Sequence, residues 1–299
     1  MEQVIVVSRC DMRALCSVRG PLGGDMRALG AGARLLSLRM PGQPQPLHFV
    51  VEAKARVKEL KTLANSHAQL QGMTDTELFG LAVMQNGEYL FVDLESKLSK
   101  YAPKSWRSSH THGLDANGRP LLELHLVIQF HVESPLLLHD EVGKHLYFLQ
   151  LLHNLRSRDG LPAEIVLLLI GLALQAKFGD AEAYDDQEYF KLEDYAPSSL
   201  TGNWVVEAIR ACHQEHRGLS KSDAETRFIR EVCLLPDTIN SHSQDHDDKD
   251  DMFRERANSN VSAVSFHGDG SDPTDNKHNL LSAITFKDTK TLLHLMKTT

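Results

Sequence analysis

The chain has 299 residues, of which 41% are hydrophobic and 24% are charged, and 40 acidic against 32 basic residues give a formal net charge of −8. This length allows about two domains, each with a sizeable core. The acidic balance argues against nucleic acid as the main partner, because proteins that hold many phosphates are usually basic. With 19 glycines and 11 prolines, collagen-like and low-complexity classes are also excluded.

The cysteines and the apolar stretches set the expected compartment. Cys10, Cys16, Cys212 and Cys233 are too few and too scattered for a disulfide framework, and no CxxC pair suggests a zinc site. We therefore expect reduced thiols in a cytosolic protein. The apolar stretch at residues 165–176 is too short to span a bilayer, and there is neither a signal-peptide core nor a lipidation motif. Any membrane contact is therefore expected to be peripheral.

The first part of the chain reads as an irregular arm followed by a strand-rich region. Residues 1–32 have no periodicity, although the pentapeptide Asp-Met-Arg-Ala-Leu occurs at 11–15 and again at 25–29. From residue 33 two apolar runs flank a Pro-Gly-Gln-Pro turn at 41–44, which predicts a hairpin. Residues 54–70 then predict a helix with one buried stripe at i, i+3 and i+7. That stripe consists of Val57, Leu60 and Ala64.

A second hairpin and a final strand complete this region. Asn86-Gly87 between apolar runs over residues 78–92 is a strong hairpin signal. Residues 121–132 predict a half-buried strand, because apolar residues alternate there; these are Leu122, Leu124, Leu126, Ile128 and Phe130. The link at residues 93–120 contains Trp106 and is expected to be partly ordered. Hairpin, helix, hairpin and strand together predict a β-grasp sheet over residues 33–133, as in ubiquitin.

Helical periodicity takes over after residue 134. It predicts four bundled helices within residues 134–239, at positions 139–155, 163–178, 203–214 and 222–235. Ser220 and Ser222 are both candidates for capping the last one. The predicted fold class is therefore α+β. Residues 240–299 are mostly polar and acidic, and we predict that they are largely disordered, with 240–279 the clearest part.

None of the sequence patterns supports catalysis. A cysteine phosphatase loop requires an arginine six residues after its cysteine, whereas Cys212 and Arg217 are five apart in a helical pattern. Dinucleotide, P-loop, GxSxG and HExxH motifs are missing from the sequence. His110 and His112 fit a polar loop, and the histidines at positions 242 and 246 indicate weak adventitious metal binding. We therefore predict a non-enzyme with no catalytic residue, cofactor or metal site.

Several segments carry a resemblance to a known family. They are residues 135–138 (Pro-Leu-Leu-Leu), 145–151 (His-Leu-Tyr-Phe-Leu-Gln-Leu), 173–180 and 213–220. Over about residues 34–240 the chain resembles the FERM module, whose first lobe is ubiquitin-like and whose second is a helical bundle. Residues 77–83 and 96–112 look most like the Expanded family. The resemblance implies a scaffold at the apical cell cortex, upstream of Hippo signalling.

The same resemblance implies partners and a location. These are the cytoplasmic tails of transmembrane proteins and other cortical adaptors, at the plasma membrane or at apical junctions. A FERM module also has a third, strand-rich lobe, which should begin near residue 239. The remaining 59 or so residues are too few and too polar for it, so we expect a truncated or alternatively processed form. Peptide and phosphoinositide binding by that lobe would then be impaired.

Basic residues in the first lobe are the candidate site. They lie on the predicted helix and in the long link: Lys54, Lys58, Lys61, Lys97, Lys100, Lys104 and Arg107. Each basic side chain near an anionic leaflet contributes about 1 kcal/mol, so we expect weak contact with anionic phospholipid or a partner. The alternative is an ordinary solvated face.

Two further function classes stay open. FERM modules also occur in tyrosine phosphatases, so the chain could be the N-terminal targeting fragment of such an enzyme. A four-helix bundle of the predicted kind also resembles acyl-CoA-binding proteins, which would make it an acyl-chain-binding module. Only fold analogy supports that second class.

Overall fold

The computed structural model describes residues 3–6, 16–19, 32–67, 70–108, 110–157, 160–181 and 189–235. Within these ranges the chain forms a seven-stranded sheet and five α-helices, which confirms the α+β class. All of them belong to one compact unit, residues 1–240. The tail that the sequence predicts to be disordered lies outside the described residues.

The sheet has the strand order β2-β1-β4-β3-β7-β5-β6. Its strands are β1 Gln3–Val6, β2 Cys16–Arg19, β3 Ala33–Arg39, β4 Leu47–Glu52, β5 Phe79–Gln85, β6 Glu88–Phe91 and β7 Glu123–Ile128. Strands β1 and β2 correct the expectation of an irregular arm, because they pair with each other and β1 runs parallel to β4. Each is only four residues long, too short to show an alternating pattern in the sequence.

Both predicted hairpins are confirmed. β3 pairs antiparallel with β4, and β5 pairs antiparallel with β6. The second turn has Asn86 at φ 53° and Gly87 at φ 87°, the left-handed conformations that a tight hairpin turn requires. β7 then inserts between the hairpins, parallel to β3 and antiparallel to β5.

The first helix is shorter than predicted. Helix α1 covers Val57–Asn65 and buries Val57, Leu60 and Ala64, so the predicted stripe is correct but the predicted range, 54–70, is too long. The residues before Val57 have another use, because Arg56 forms a β-bridge with Lys97 of the long link. Main-chain groups in such a bridge cannot also form helical hydrogen bonds.

The predicted alternation in the last strand is only partly correct. Val127 is buried although it points to the opposite face from Leu126, because a helix covers that second face as well. Phe130 is 43% exposed instead of buried. Regular strand geometry has ended there, since the N–H groups of Gln129 and Phe130 both donate to the carbonyl of Leu78.

Four helices follow, close to their predicted positions. They are α2 Glu141–Arg156, α3 Ala163–Phe178, α4 Asn203–Glu215 and α5 Lys221–Cys233. Helix α3 packs between α4 and α5, and Gly171 lets it approach α4 so closely that a Cβ would lie 3.0 Å from Cys212. Ser220 is the cap of α5, since its hydroxyl accepts from the N–H of Asp223, whereas Ser222 lies inside the helix.

Carboxylates of the loop before β5 and of the start of α2 join the sheet region to the helices. Asp140 caps α2 by accepting from the N–H of Gly143 at 2.6 Å. Its other oxygen accepts from the N–H and the hydroxyl of Thr74 and from the N–H of Asp75. In return, Asp75 accepts from the N–H of His139 at 2.6 Å and contacts the His139 ring. We call this set the junction latch.

The hydrogen bonds of the latch favour the ionised form of Asp140. Partial burial by itself would raise the pKa of Asp140, but the N–H groups of Gly143, Asp75 and Thr74 outweigh it and lower the pKa below its ordinary value. The contribution of this group to stability is therefore present above the unfolded pKa of about 3.9. It is lost as pH falls through the lower folded value.

A second contact holds the same junction. The N–H of Val132 donates to the hydroxyl of Tyr147 at 3.0 Å, and the Cys233 thiol donates to the Val132 carbonyl at 3.3 Å. Both side chains are substantially buried, and burial raises the pKa of Tyr147 to about 12 and that of Cys233 to about 11. Both groups therefore stay protonated at neutral pH and can serve as hydrogen-bonding groups.

We expect Asp140→Ala to lower the free energy of unfolding by about 2 kcal/mol or more, because it removes a helix cap and the cross-junction hydrogen bonds. Urea unfolding followed by circular dichroism measures this. Glu133→Ala is the matched control: its side chain is exposed and forms no ion pair with another described residue, and it should change stability by less than about 0.5 kcal/mol. The difference between wild type and Asp140→Ala should narrow as pH falls below about 4. Equal effects of the two substitutions would contradict the latch.

Candidate functional site

A buried tryptophan fixes the link that carries most of the candidate basic residues. Trp106 lies in a short 3₁₀ turn, Lys104–Arg107, and is 0% exposed. Its indole nitrogen donates to the Leu35 carbonyl at 3.0 Å, and Arg34 donates to the Arg107 carbonyl at 2.7 Å. The link is therefore attached to strand β3, which confirms the prediction that it is partly ordered.

The link then runs beside the start of helix α1. Arg56 and Lys97 are bridge partners, the N–H of Leu98 donates to the Ala55 carbonyl at 3.0 Å, and the Arg107 side chain donates to the Ser99 carbonyl at 2.8 Å. These contacts hold the link beside the residues that precede α1. We call the exposed basic residues of these two segments the basic surface; its members are Lys54, Lys97, Lys100, Lys104 and Arg107.

Two of the predicted basic residues, Lys58 and Lys61, do not belong to this surface because carboxylates already compensate their charges. Lys58 is paired with Glu95 at 2.9 Å, and Arg56 contacts the same carboxylate at 3.0 Å. The hydrogen bond from Lys58 lowers the pKa of Glu95. Lys61 is half-buried; burial lowers its pKa, while the negative charge of Glu77 acts in the opposite direction. Lys61 is thus associated with Glu77 and not with the link.

The five members of the basic surface differ in how free their charges are. The Lys100 ammonium lies 5.5 Å from the centre of the Tyr101 ring and 3.4 Å from the Ser96 hydroxyl. Arg107 already uses one nitrogen to hold Ser99. By contrast, Lys54, Lys97 and Lys104 have no carboxylate within ion-pair distance among the residues that the structure describes.

The counter-charge Glu95 was not part of the sequence prediction. Glu95 and Lys58 are 37 positions apart, so no helical or strand spacing connects them. This carboxylate lies beside the helix because the N–H groups of Val57 and Lys58 donate to the carbonyls of Ser96 and Leu94 on either side of it. A neighbouring acid in the same loop, Asp93, is held by the N–H of Glu95 and the hydroxyl of Ser96, which lower its pKa.

The other residues that the sequence analysis considers as possible sites have structural roles where the structure describes them. His112 has φ 48°, and its carbonyl accepts from the N–H of Leu35, so the loop that includes the exposed His110 supports β3. Cys212 is buried within helix α4. Within the described ranges, His, Cys, Asp and Glu side chains nowhere gather in threes that could hold a metal ion. The histidines at 242 and 246 lie outside these ranges.

No helix in the part of the chain that the structure describes combines the length and the apolar character that a membrane crossing needs.

Sequence comparisons place both lobes in one family. The FERM N-terminal domain matches residues 45–104 and the FERM central domain matches residues 133–242. Protein expanded of Drosophila melanogaster is 43% identical over 305 residues, which covers 78% of this chain and 21% of that protein. Tyrosine-protein phosphatase non-receptor type 13 of Homo sapiens is 30% identical over 195 residues, covering 63% of this chain and 8% of the phosphatase.

A solved structure has the same fold. The FERM and C-terminal domain complex of Drosophila Merlin matches with a TM-score of 0.51 at 18% identity, covering 67% of this chain and 65% of that chain. The chain belongs to the FERM family and is related to Expanded. It spans only about a fifth of the length of Expanded and less than a tenth of that of the phosphatase.

We expect Trp106→Phe to lower the free energy of unfolding by about 1–3 kcal/mol, because it removes a buried hydrogen bond and part of a fully buried ring. The other tryptophan, Trp204, is only half-buried at the start of α4, so Trp204→Phe is the matched control and should have a smaller effect. Urea unfolding of both variants makes the comparison. A Trp106→Phe variant as stable as wild type would show that the link is not anchored by its indole.

Proposed function

We propose that this chain is a non-enzymatic adaptor at the cell cortex. It links the cytoplasmic tails of transmembrane proteins, and other adaptors, to cytoskeletal and Hippo growth-control signalling. The observation that carries this proposal is the 43% identity to Expanded across 78% of the chain, together with the resemblance to that family in residues 77–83 and 96–112. The adaptor role belongs to both lobes, residues 33–133 and 134–239.

The architecture of the two lobes supports this assignment. We infer that the first lobe is a ubiquitin-like β-grasp, since five strands in the order β4-β3-β7-β5-β6 bury the stripe of helix α1. The second lobe is then a bundle of α2 to α5 of the acyl-CoA-binding-protein type. Such lobes present surfaces for docking, in keeping with a scaffold.

The basic surface is the proposed membrane contact. A chain with net charge −8 gains little long-range attraction to an anionic leaflet, so contact depends on a local cluster of cations. Salt screens charges beyond about 8–10 Å, and each lysine close to the headgroups contributes about 1 kcal/mol. Lys54, Lys97 and Lys104 are the candidates for this cluster because their charges are not paired with carboxylates of the described chain.

We predict that a variant with alanine at Lys54, Lys97 and Lys104 cosediments with phosphatidylserine vesicles at least tenfold more weakly than wild type. The double variant Lys58→Ala, Glu95→Ala is the matched control, because the ion pair that it removes carries no net charge. It should leave binding unchanged within about twofold.

A third variant tests the sign of the effect. Glu95→Gln removes the counter-charge of Lys58 and Arg56, so it should strengthen vesicle binding at low ionic strength. If the triple variant binds as wild type does, or if the Lys58→Ala, Glu95→Ala double variant weakens binding as much as the triple variant, the basic surface is not the membrane contact.

The similarity to tyrosine-protein phosphatase non-receptor type 13 favours one second candidate, a targeting fragment of such an enzyme. Even then the chain would contribute localisation, since Cys212 is buried in a helix and its spacing from Arg217 does not fit a phosphate-binding loop. We predict no hydrolysis of p-nitrophenyl phosphate above background, and the same rate for Cys212→Ser. Turnover that disappears in Cys212→Ser would overturn the non-enzymatic assignment.

A further inference from the structure

A cleft of about 750 Å³ lies between the sheet and helix α2, and no member of the basic surface belongs to its lining. One wall is formed by the end of β3, the β3–β4 turn and strands β5 to β7. The other is formed by the second half of α2, the end of α3 and the loop before α4. Its size falls within the range of sites for small molecules and short peptide segments.

Apolar residues line part of the cleft, and we call this part its floor. Met40, Leu126 and Leu152 line it. The β3–β4 turn approaches α2 directly at Gly42, where φ is 69° and a Cβ would lie 2.6 Å from a methyl carbon of Leu149. The cleft thus forms where the turn packs against α2 at a residue without a side chain.

Cations from three separate elements surround this floor. Arg39 ends β3, Arg156 ends α2 and Lys177 lies in the last turn of α3. All three side chains line the same cleft. Among the described residues of its lining, the one carboxylate belongs to Asp194, so the formal charge of this described lining is positive although the chain as a whole is acidic.

These cations retain unused binding capacity. Arg39 donates to Glu123 through Nε at 2.8 Å, and among the described residues its two terminal nitrogens form no hydrogen bond. Arg156 donates to the Glu193 carbonyl, a neutral group. The Lys177 ammonium lies 5.3 Å from the centre of the Tyr195 ring and has no carboxylate within ion-pair distance in the described ranges. Low-dielectric walls strengthen the positive potential inside such a cleft.

Neutral ring donors and acceptors complete the lining. Burial lowers the pKa of His125, and the charges of Arg39 and His153 act in the same direction against that of Glu123. His125 is therefore neutral at pH 7, and its ring stacks at an angle against Tyr89, with 5.3 Å between ring centres. The lining thus combines an apolar floor, polar aromatic groups and cations at its rim.

We propose that this cleft binds an acidic linear peptide segment of a partner protein, with an apolar side chain on the floor and carboxylates at the cationic rim. The apolar floor favours a peptide over a lipid headgroup, which would use the cations alone. Charge complementarity favours an acidic sequence over a basic or neutral one. This inference rests on the proposed adaptor role in one respect, namely that the occupant is a peptide. The residues of the cleft differ from those of the basic surface.

The test uses the full chain immobilised for selection from a phage library of random dodecapeptides. We expect enrichment of peptides in which aspartate or glutamate flanks leucine or phenylalanine. A fluorescein-labelled synthetic copy of an enriched peptide should bind the double variant Arg156→Gln, Lys177→Gln at least tenfold more weakly than wild type. Its affinity for wild type should fall as salt increases. Lys104→Gln, on the basic surface, is the matched control and should leave peptide affinity unchanged.

Two results would overturn the proposal. One is selection without enrichment of acidic peptides. The other is equal peptide affinity for wild type and for the double variant, with circular dichroism confirming that both are folded. Phosphatidylserine vesicles provide a separate arm: if the double variant loses vesicle binding and not peptide binding, the cleft holds a lipid headgroup instead. If the variant with alanine at Lys54, Lys97 and Lys104 loses vesicle binding but keeps peptide binding, the cleft binds peptide independently of the basic surface.

Discussion

The junction latch determines how the two lobes of this FERM chain are presented. Asp140 both begins helix α2 and accepts from Thr74 and Asp75, while Asp75 accepts from His139. Because each carboxylate satisfies main-chain donors on the opposite side of the junction, a change in lobe orientation would leave several polar groups without partners. The course of α2, and with it one wall of the interlobe cleft, follows from this exchange.

Burial of both sheet faces is the second consequence of that orientation. Helix α1 covers one face through Val57, Leu60 and Ala64, and α2 lies over the other, where Val127 is buried. The Val132 main chain between the lobes is held by Tyr147 and Cys233. The sheet therefore serves as a shared layer, and the link with Trp106 adds a further contact on β3.

Local patterns in the sequence predict much of this fold and little of its long-range contacts. The Asn86-Gly87 turn, the stripe of α1 and the four later helices depend on near neighbours, so their signals are strong. Burial of Val127 depends on a helix that begins fourteen residues later. The alternation of buried and exposed residues along a strand would instead place Val127 on the exposed face. The pairing of Asp75 with His139 spans 64 positions, and no spacing rule reaches that far.

The candidate site shows the same limit. Composition and spacing identify the lysines of α1 and of the link. How available each charge is for binding depends on the neighbouring carboxylates Glu95, Glu77 and Asp93. Lys58 and Lys97 look equivalent in the sequence, yet only Lys58 has a carboxylate partner at 2.9 Å. The cleft cations come from the ends of β3, α2 and α3, so they become neighbours only when the lobes meet.

The central claim is that one rigid pair of lobes presents two separate surfaces. It is tested most directly by hydrogen exchange of the full chain, measured by mass spectrometry with and without phosphatidylserine vesicles. The expected result is slower exchange in peptides covering residues 52–58 and 94–108, with unchanged exchange in residues 39–44 and 149–156. Protection of the cleft segments by vesicles, or no protection of the link, would contradict the division of roles between the basic surface and the cleft.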